Sequence, residues 1–77
     1  MKLLKLTGKE IIKVLYKNGF SIRNRAGSHV NLIGMVKGRK RLVTVAIHGN
    51  EKIPSGTLLS IIDQAGFTKE EFIKLFG

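Results

Sequence analysis

Among the 77 residues of this chain, two histidines, His29 and His48, are the side chains able to take up or release a proton near neutral pH. The sequence contains no cysteine, which excludes thiol nucleophiles, disulfides and zinc–thiolate sites. Its five acids, Glu10, Glu51, Asp63, Glu70 and Glu71, fall where helix caps, loop charges or helix surfaces are expected. Hydrolysis by a bound metal needs several such groups converging on one point, so neither a metal nor another cofactor is expected. The glycines between residues 49 and 56 lack the spacing of a phosphate-cradling loop. Ser28 adjoins His29, but neighbours on a strand point to opposite faces and make a poor nucleophile–base pair. Imidazole acid–base chemistry is what remains. RNA suits it, because RNA carries its own nucleophile, the 2′-hydroxyl. Cleavage then requires a base, an acid and positive charge near the phosphate. His29 is the leading candidate. His48 reads equally as a second acid/base group or as a turn residue, and composition alone would leave either as an ordinary surface histidine.

The elements that must position these groups are well punctuated. Thr7 followed by Glu10 three residues on is a capping box, and Ile11, Ile12, Val14 and Leu15 then supply an apolar stripe at helical spacing. Asn18-Gly19 stops it, which predicts a helix over 8–18. Residues 20–24, 28–36 and 42–47 read as three strands, from their period-two alternation or their β-branched content. Turns at 25–27 and 37–39 make them an antiparallel meander. After a polar loop, residues 57–65 read as a second helix that ends at Gly66. Thr68 and Glu71 form another capping box, starting a short helix whose Phe72, Ile73, Leu75 and Phe76 pack back on the body. The result is an α+β fold in one domain, 1–77, with the order α-β-β-β-α and a short extra C-terminal helix.

Both main helices are expected to bury their stripes against one face of the three-stranded sheet. Alternation then assigns Phe20, Ile22, Val30, Leu32, Val43, Val45 and Ile47 to the covered face. Ser21, Arg23, Arg25, His29, Asn31 and Thr44 fall on the open one, with His48 near its end. Fourteen Lys and Arg against five Asp and Glu give a net charge of +9, a field that attracts nucleic acid or a strongly acidic protein. Contacts to RNA are expected from Arg23, Arg25, Ser28 and Asn31, and from Lys37, Arg39, Lys40 and Arg41 around the second turn. A charged hairpin tip is also commonly just solvated. No membrane contact is expected, since no basic helix with an aromatic face stands out. The start, Met1-Lys2-Leu3-Leu4-Lys5-Leu6, has its apolar run broken by Lys5 and Lys9, so a soluble, cytoplasmic protein is expected.

Several stretches stand in a set order over nearly the whole chain. They are Leu6-Thr7-Gly8-Lys9-Glu10, Asn18-Gly19-Phe20, Arg25-Ala26-Gly27-Ser28-His29 and Val45-Ala46-Ile47-His48-Gly49-Asn50. Gly56-Thr57-Leu58-Leu59 running on to Ala65-Gly66, and Thr68-Lys69-Glu70-Glu71-Phe72, complete the set. Together they resemble the HicA toxins, the mRNA-cleaving component of HicA–HicB toxin–antitoxin systems. That resemblance implies a double-stranded-RNA-binding-domain-like fold, metal-independent endoribonuclease activity and a catalytic histidine matching His29. It also implies a HicB-like antitoxin that masks the active site, and a second family histidine matching His48. One departure is Ala46, where many members carry proline. Two other readings stay open: a non-catalytic RNA-binding module using the same face, and an interaction protein whose basic surface meets an acidic partner.

Overall fold

The computed structural model describes residues 5–76; residues 1–4 of the leucine-containing start, and Gly77, lie outside them. Six elements follow in chain order: α1 (Gly8–Lys17), β1 (Ser21–Ala26), β2 (His29–Val36), β3 (Arg39–Ala46), α2 (Ser55–Ala65) and α3 (Lys69–Lys74). The strands form one antiparallel sheet in the order β1-β2-β3, so the strand that carries His29 is central. This is the expected α-β-β-β-α order with its short final helix. Among the described residues, no helix is long and apolar enough to cross a membrane.

Local chemistry sets the boundaries. At the start of α1, Thr7 Oγ1 accepts from the Glu10 N–H at 3.3 Å while the Thr7 N–H donates to Glu10 Oε1 at 2.8 Å. Each bond satisfies a backbone or side-chain group that helix geometry leaves without a partner. The β2–β3 turn has only two residues, Lys37 (φ 54°) and Gly38 (φ 75°). Two successive positive φ values are what a I′ hairpin needs to match strand twist. Arg39, Lys40 and Arg41 therefore belong to β3 and not to a longer turn. The β1–β2 turn is also two residues, with Gly27 at φ 59° and Ser28 beside it.

The core lies between the helices and one sheet face. Val30, Leu32, Val43 and Val45 point into it from the sheet, and meet Ile11 and Leu15 of α1 and Leu58, Ile61 and Ile62 of α2. Phe72 closes the far end, edge-on to Phe76 at 5.4 Å. Ile22 shares the register of this face but sits on the edge strand and is 56% exposed; Ile47 is only partly covered. α2 runs beside β3, and its Gln64 Oε1 accepts from the Thr44 N–H at 3.1 Å, which covers part of that strand's free edge.

One ion pair ties the second turn to α3. The Lys37 ammonium donates to Glu71 Oε1 at 2.9 Å, and the same oxygen accepts from the Thr68 N–H at 2.7 Å. The Lys37 bond first, and the Thr68 backbone bond next, hold the Glu71 carboxyl below the ordinary glutamate range. The unfolded chain therefore binds this proton at a higher pH than the folded one. The stabilisation is complete at neutral pH and is lost as pH falls through the lowered value. Thermal melts from about pH 7 down to pH 3 are expected to show an acid-side fall that is shallower in Glu71→Gln. Parallel curves for the two proteins would remove the pair from the stability account.

Candidate active site on the open sheet face

His29 opens β2 on the face that no helix covers. Its cross-strand neighbours are Ala26 on β1 and Ala46 on β3, so only methyl groups flank the imidazole, which is exposed. One pleat further along the same face, Asn24, Asn31 and Thr44 form a polar rung. Asn31 Nδ2 donates to Asn24 Oδ1 at 2.6 Å, and Thr44 Oγ1 donates to Asn31 Oδ1 at 2.7 Å. Side chains directly opposite on antiparallel strands share a face and lie close enough to bond in this way. The rung fixes the floor beside His29 and engages the Asn31 amide on both sides. Within reach of His29, then, the sheet offers a clear imidazole over a rigid polar row.

A bulge decides what else surrounds it. Ile22 is opposite Leu32, but Asn24, not Arg23, is opposite Asn31, so Arg23 is the extra residue in β1. Strict alternation would put Arg25 across from His29. The one-residue slip instead turns Arg25 to the covered side, opposite Val30, and brings Asn24 round to the histidine's side. The expectation that Arg25 shares a face with His29 is corrected by this register.

The remaining basic candidates scatter. Arg41 stands opposite Gly34 on the covered side, where its guanidinium lies against Gly66 at the end of α2. A cation there meets the negative end of the helix dipole. Its Nε is buried, and no hydrogen-bond partner for it is found among the described residues. Lys37 is held by Glu71. Arg39 is exposed at the start of β3, opposite Val36 on the covered side, and Lys40 is exposed on the open face opposite Met35. Ser28 is half-buried in the hairpin turn, and its carbonyl accepts from the Ile47 N–H at 2.7 Å. Nor is the open face uniformly basic. Beyond the polar rung it carries Ile33, Leu42 and Met35, the last two 52% and 62% exposed.

His48 follows β3 by two residues, past the end that pairs with His29. It is exposed and lines a separate depression with Glu51, Lys52, Pro54 and Thr57, to which Ala46 also contributes. Ala46 is thus the common neighbour of the two histidines. Among the described residues, no three of His, Asp and Glu come together as a metal-binding group.

The family model described as the HicA toxin of bacterial toxin–antitoxin systems matches residues 8–67. The chain belongs to the HicA toxin family. The match runs from the first residue of α1 to just past α2 and contains both histidines, the bulge and all three strands. A comparison with curated proteins finds no match. Membership in the HicA family makes the protein a toxin with an antitoxin partner.

Two features of this HicA chain escape a reading by alternation. Asn24 joins the site only through the bulge, which has no local signature. Lys9, Lys13 and Tyr16 of α1 form an exposed stripe whose spacing of four and then three residues was a usable signal.

Proposed function

We propose that this toxin is a metal-independent endoribonuclease that cleaves mRNA, with His29 as its general acid–base group. A HicB-like antitoxin inhibits it by covering the open sheet face. The observation that carries the reading is the exposed imidazole, clear of packing, on the uncovered face of a strongly basic member of a toxin family.

The chemistry needs little more than this. A neutral imidazole removes the proton of a 2′-hydroxyl, and the freed oxygen attacks the adjacent phosphorus. The 5′-oxygen of the next nucleotide leaves and takes a proton from an acid. His29 supplies the first function. His48, beyond the common neighbour Ala46, is the second histidine available for proton donation. Arg23, at the bulge next to the Asn24–Asn31 rung, is the cation we assign to drawing the phosphate in. Lys40, opposite Met35 at the far end of the open face, can meet only a more distant part of the RNA strand. The apolar half of the same face, Ile33, Met35 and Leu42, lies beyond the polar rung and gives an antitoxin that covers this face a surface to bury.

This route leaves a 2′,3′-cyclic phosphate on one fragment and a 5′-hydroxyl on the other. Purified toxin is therefore expected to cut RNA unimpaired in excess EDTA, to leave those ends, and to spare an RNA with 2′-deoxy sugar at the cut position. Cutting of the 2′-deoxy substrate at the same place, or loss of activity in EDTA, would overturn the mechanism.

A further inference from the structure

The stripe on α1 faces a groove on the opposite side of the sheet edge from His29. Lys9, Lys13 and Tyr16 form one wall, and Ile22 and Arg25 of β1 form the other. Val30 and Ile47 lie at its base. The groove encloses about 350 Å³, within the range of pockets that take a small ligand of nucleotide size. Its base is apolar and its rim carries three cations. Among the described residues the ion pairs are Lys37–Glu71 and Lys52–Glu10, so none of the three rim cations is matched by a carboxylate there. The Tyr16 side chain is 67% exposed and Ile22 56%, so an aromatic ring and a branched aliphatic chain stand open to solvent between positive charges.

We propose that this groove is a second RNA subsite, which binds a single-stranded segment outside the cleavage point. The Tyr16 ring stacks a base, and Lys9, Lys13 and Arg25 hold the phosphates on either side. Aromatic platforms set among cations are how proteins grip single strands without reading sequence. The proposal rests on the reading that the toxin acts on RNA. The fold supplies the link: Arg25 is opposite Val30, the residue after His29, so groove and histidine lie on the two sides of one hairpin end. A strand passing over the Gly27-Ser28 turn runs from one to the other. The bulge at Arg23 is what turns Arg25 into the groove. An acidic peptide would satisfy the cations as well, but it has no flat face to lay on Tyr16.

Binding is measured in a His29→Ala background, so that the RNA stays intact, with a labelled single-stranded oligonucleotide titrated over a range of salt. Tyr16→Ala is expected to weaken binding about 5- to 150-fold, and Tyr16→Phe to restore it. Lys9→Ala and Lys13→Ala are expected to weaken it too, each reducing the salt slope by roughly one. All three side chains are exposed, and thermal melts of each variant verify the fold. Curves that superimpose on the parent's would overturn the proposal. So would variants that keep RNA affinity but lose affinity for a poly-glutamate peptide, which would make the groove a protein-docking surface. Cleavage by the His29-containing protein is scored separately. If that protein binds RNA through the groove yet never cuts it, the subsite stands and the catalytic reading falls.

Discussion

Replacing His29 with alanine is expected to lower RNA cleavage by about 10²–10⁴-fold, the usual worth of one positioned acid–base group. Growth inhibition by the expressed toxin should be lost with it. The fold should not suffer. The imidazole is exposed between two alanines and contributes to no buried cluster, and exposed substitutions of this kind usually stay within about 0.5 kcal/mol. Melting temperature and RNA affinity are therefore the controls, and both are expected to match the parent. A fall in cleavage with those two unchanged assigns chemistry to His29. Unchanged cleavage would sink the assignment and leave a basic RNA-binding surface. The same assay on His48→Ala apportions the second proton: a comparable loss places His48 in the step, whereas parental activity makes it a loop residue.

The separation of what the sequence discloses from what it conceals follows the range of the forces involved. Thr7 with Glu10, and Thr68 with Glu71, are bonds between residues three apart, so the starts of α1 and α3 could be read directly. The covered positions Val30, Leu32, Val43 and Val45 followed from alternation, because β2 and the β3 residues facing it pair without interruption. β1 behaves differently. Its bulge exists only through its pairing with β2, and nothing local in Ile22-Arg23-Asn24 marks it. One inserted residue puts Ala26 where Arg25 would stand opposite His29, and Asn24 where Arg23 would stand opposite Asn31. That removes a cation from the candidate site and turns Arg25 toward α1. Arg41 was hidden for a similar reason. Its role depends on α2 ending at Gly66, twenty-five residues later in the chain. Thus the place of His29 on the open face was legible, but most of its surroundings were not.

Gly34→Ala is expected to be the most damaging one-carbon change in the sheet. In sequence, a glycine inside a strand reads as a weak point, since it packs nothing and loses the most entropy on ordering. In the structure its missing side chain is occupied space. A Cβ there would stand 2.7 Å from Phe20 Cγ and 2.8 and 3.0 Å from the two Cδ atoms. These atoms are at the root of the ring, and Phe20 is 2% exposed within the core cluster, so the ring has nowhere to turn. Overpacking of this kind costs about 1–3 kcal/mol. In a domain of this size each kcal/mol lowers the melting temperature by about 4–8 °C. The cause can be isolated by pairing the change with Phe20→Leu. Alone, Phe20→Leu is destabilising, because it leaves a cavity. Combined with Gly34→Ala, the smaller side chain admits the new methyl, and the double variant should be more stable than the two single losses added together. The coupling should amount to about 0.5–3 kcal/mol. If the two losses simply add, the clash with the ring is not what fixes glycine at this position.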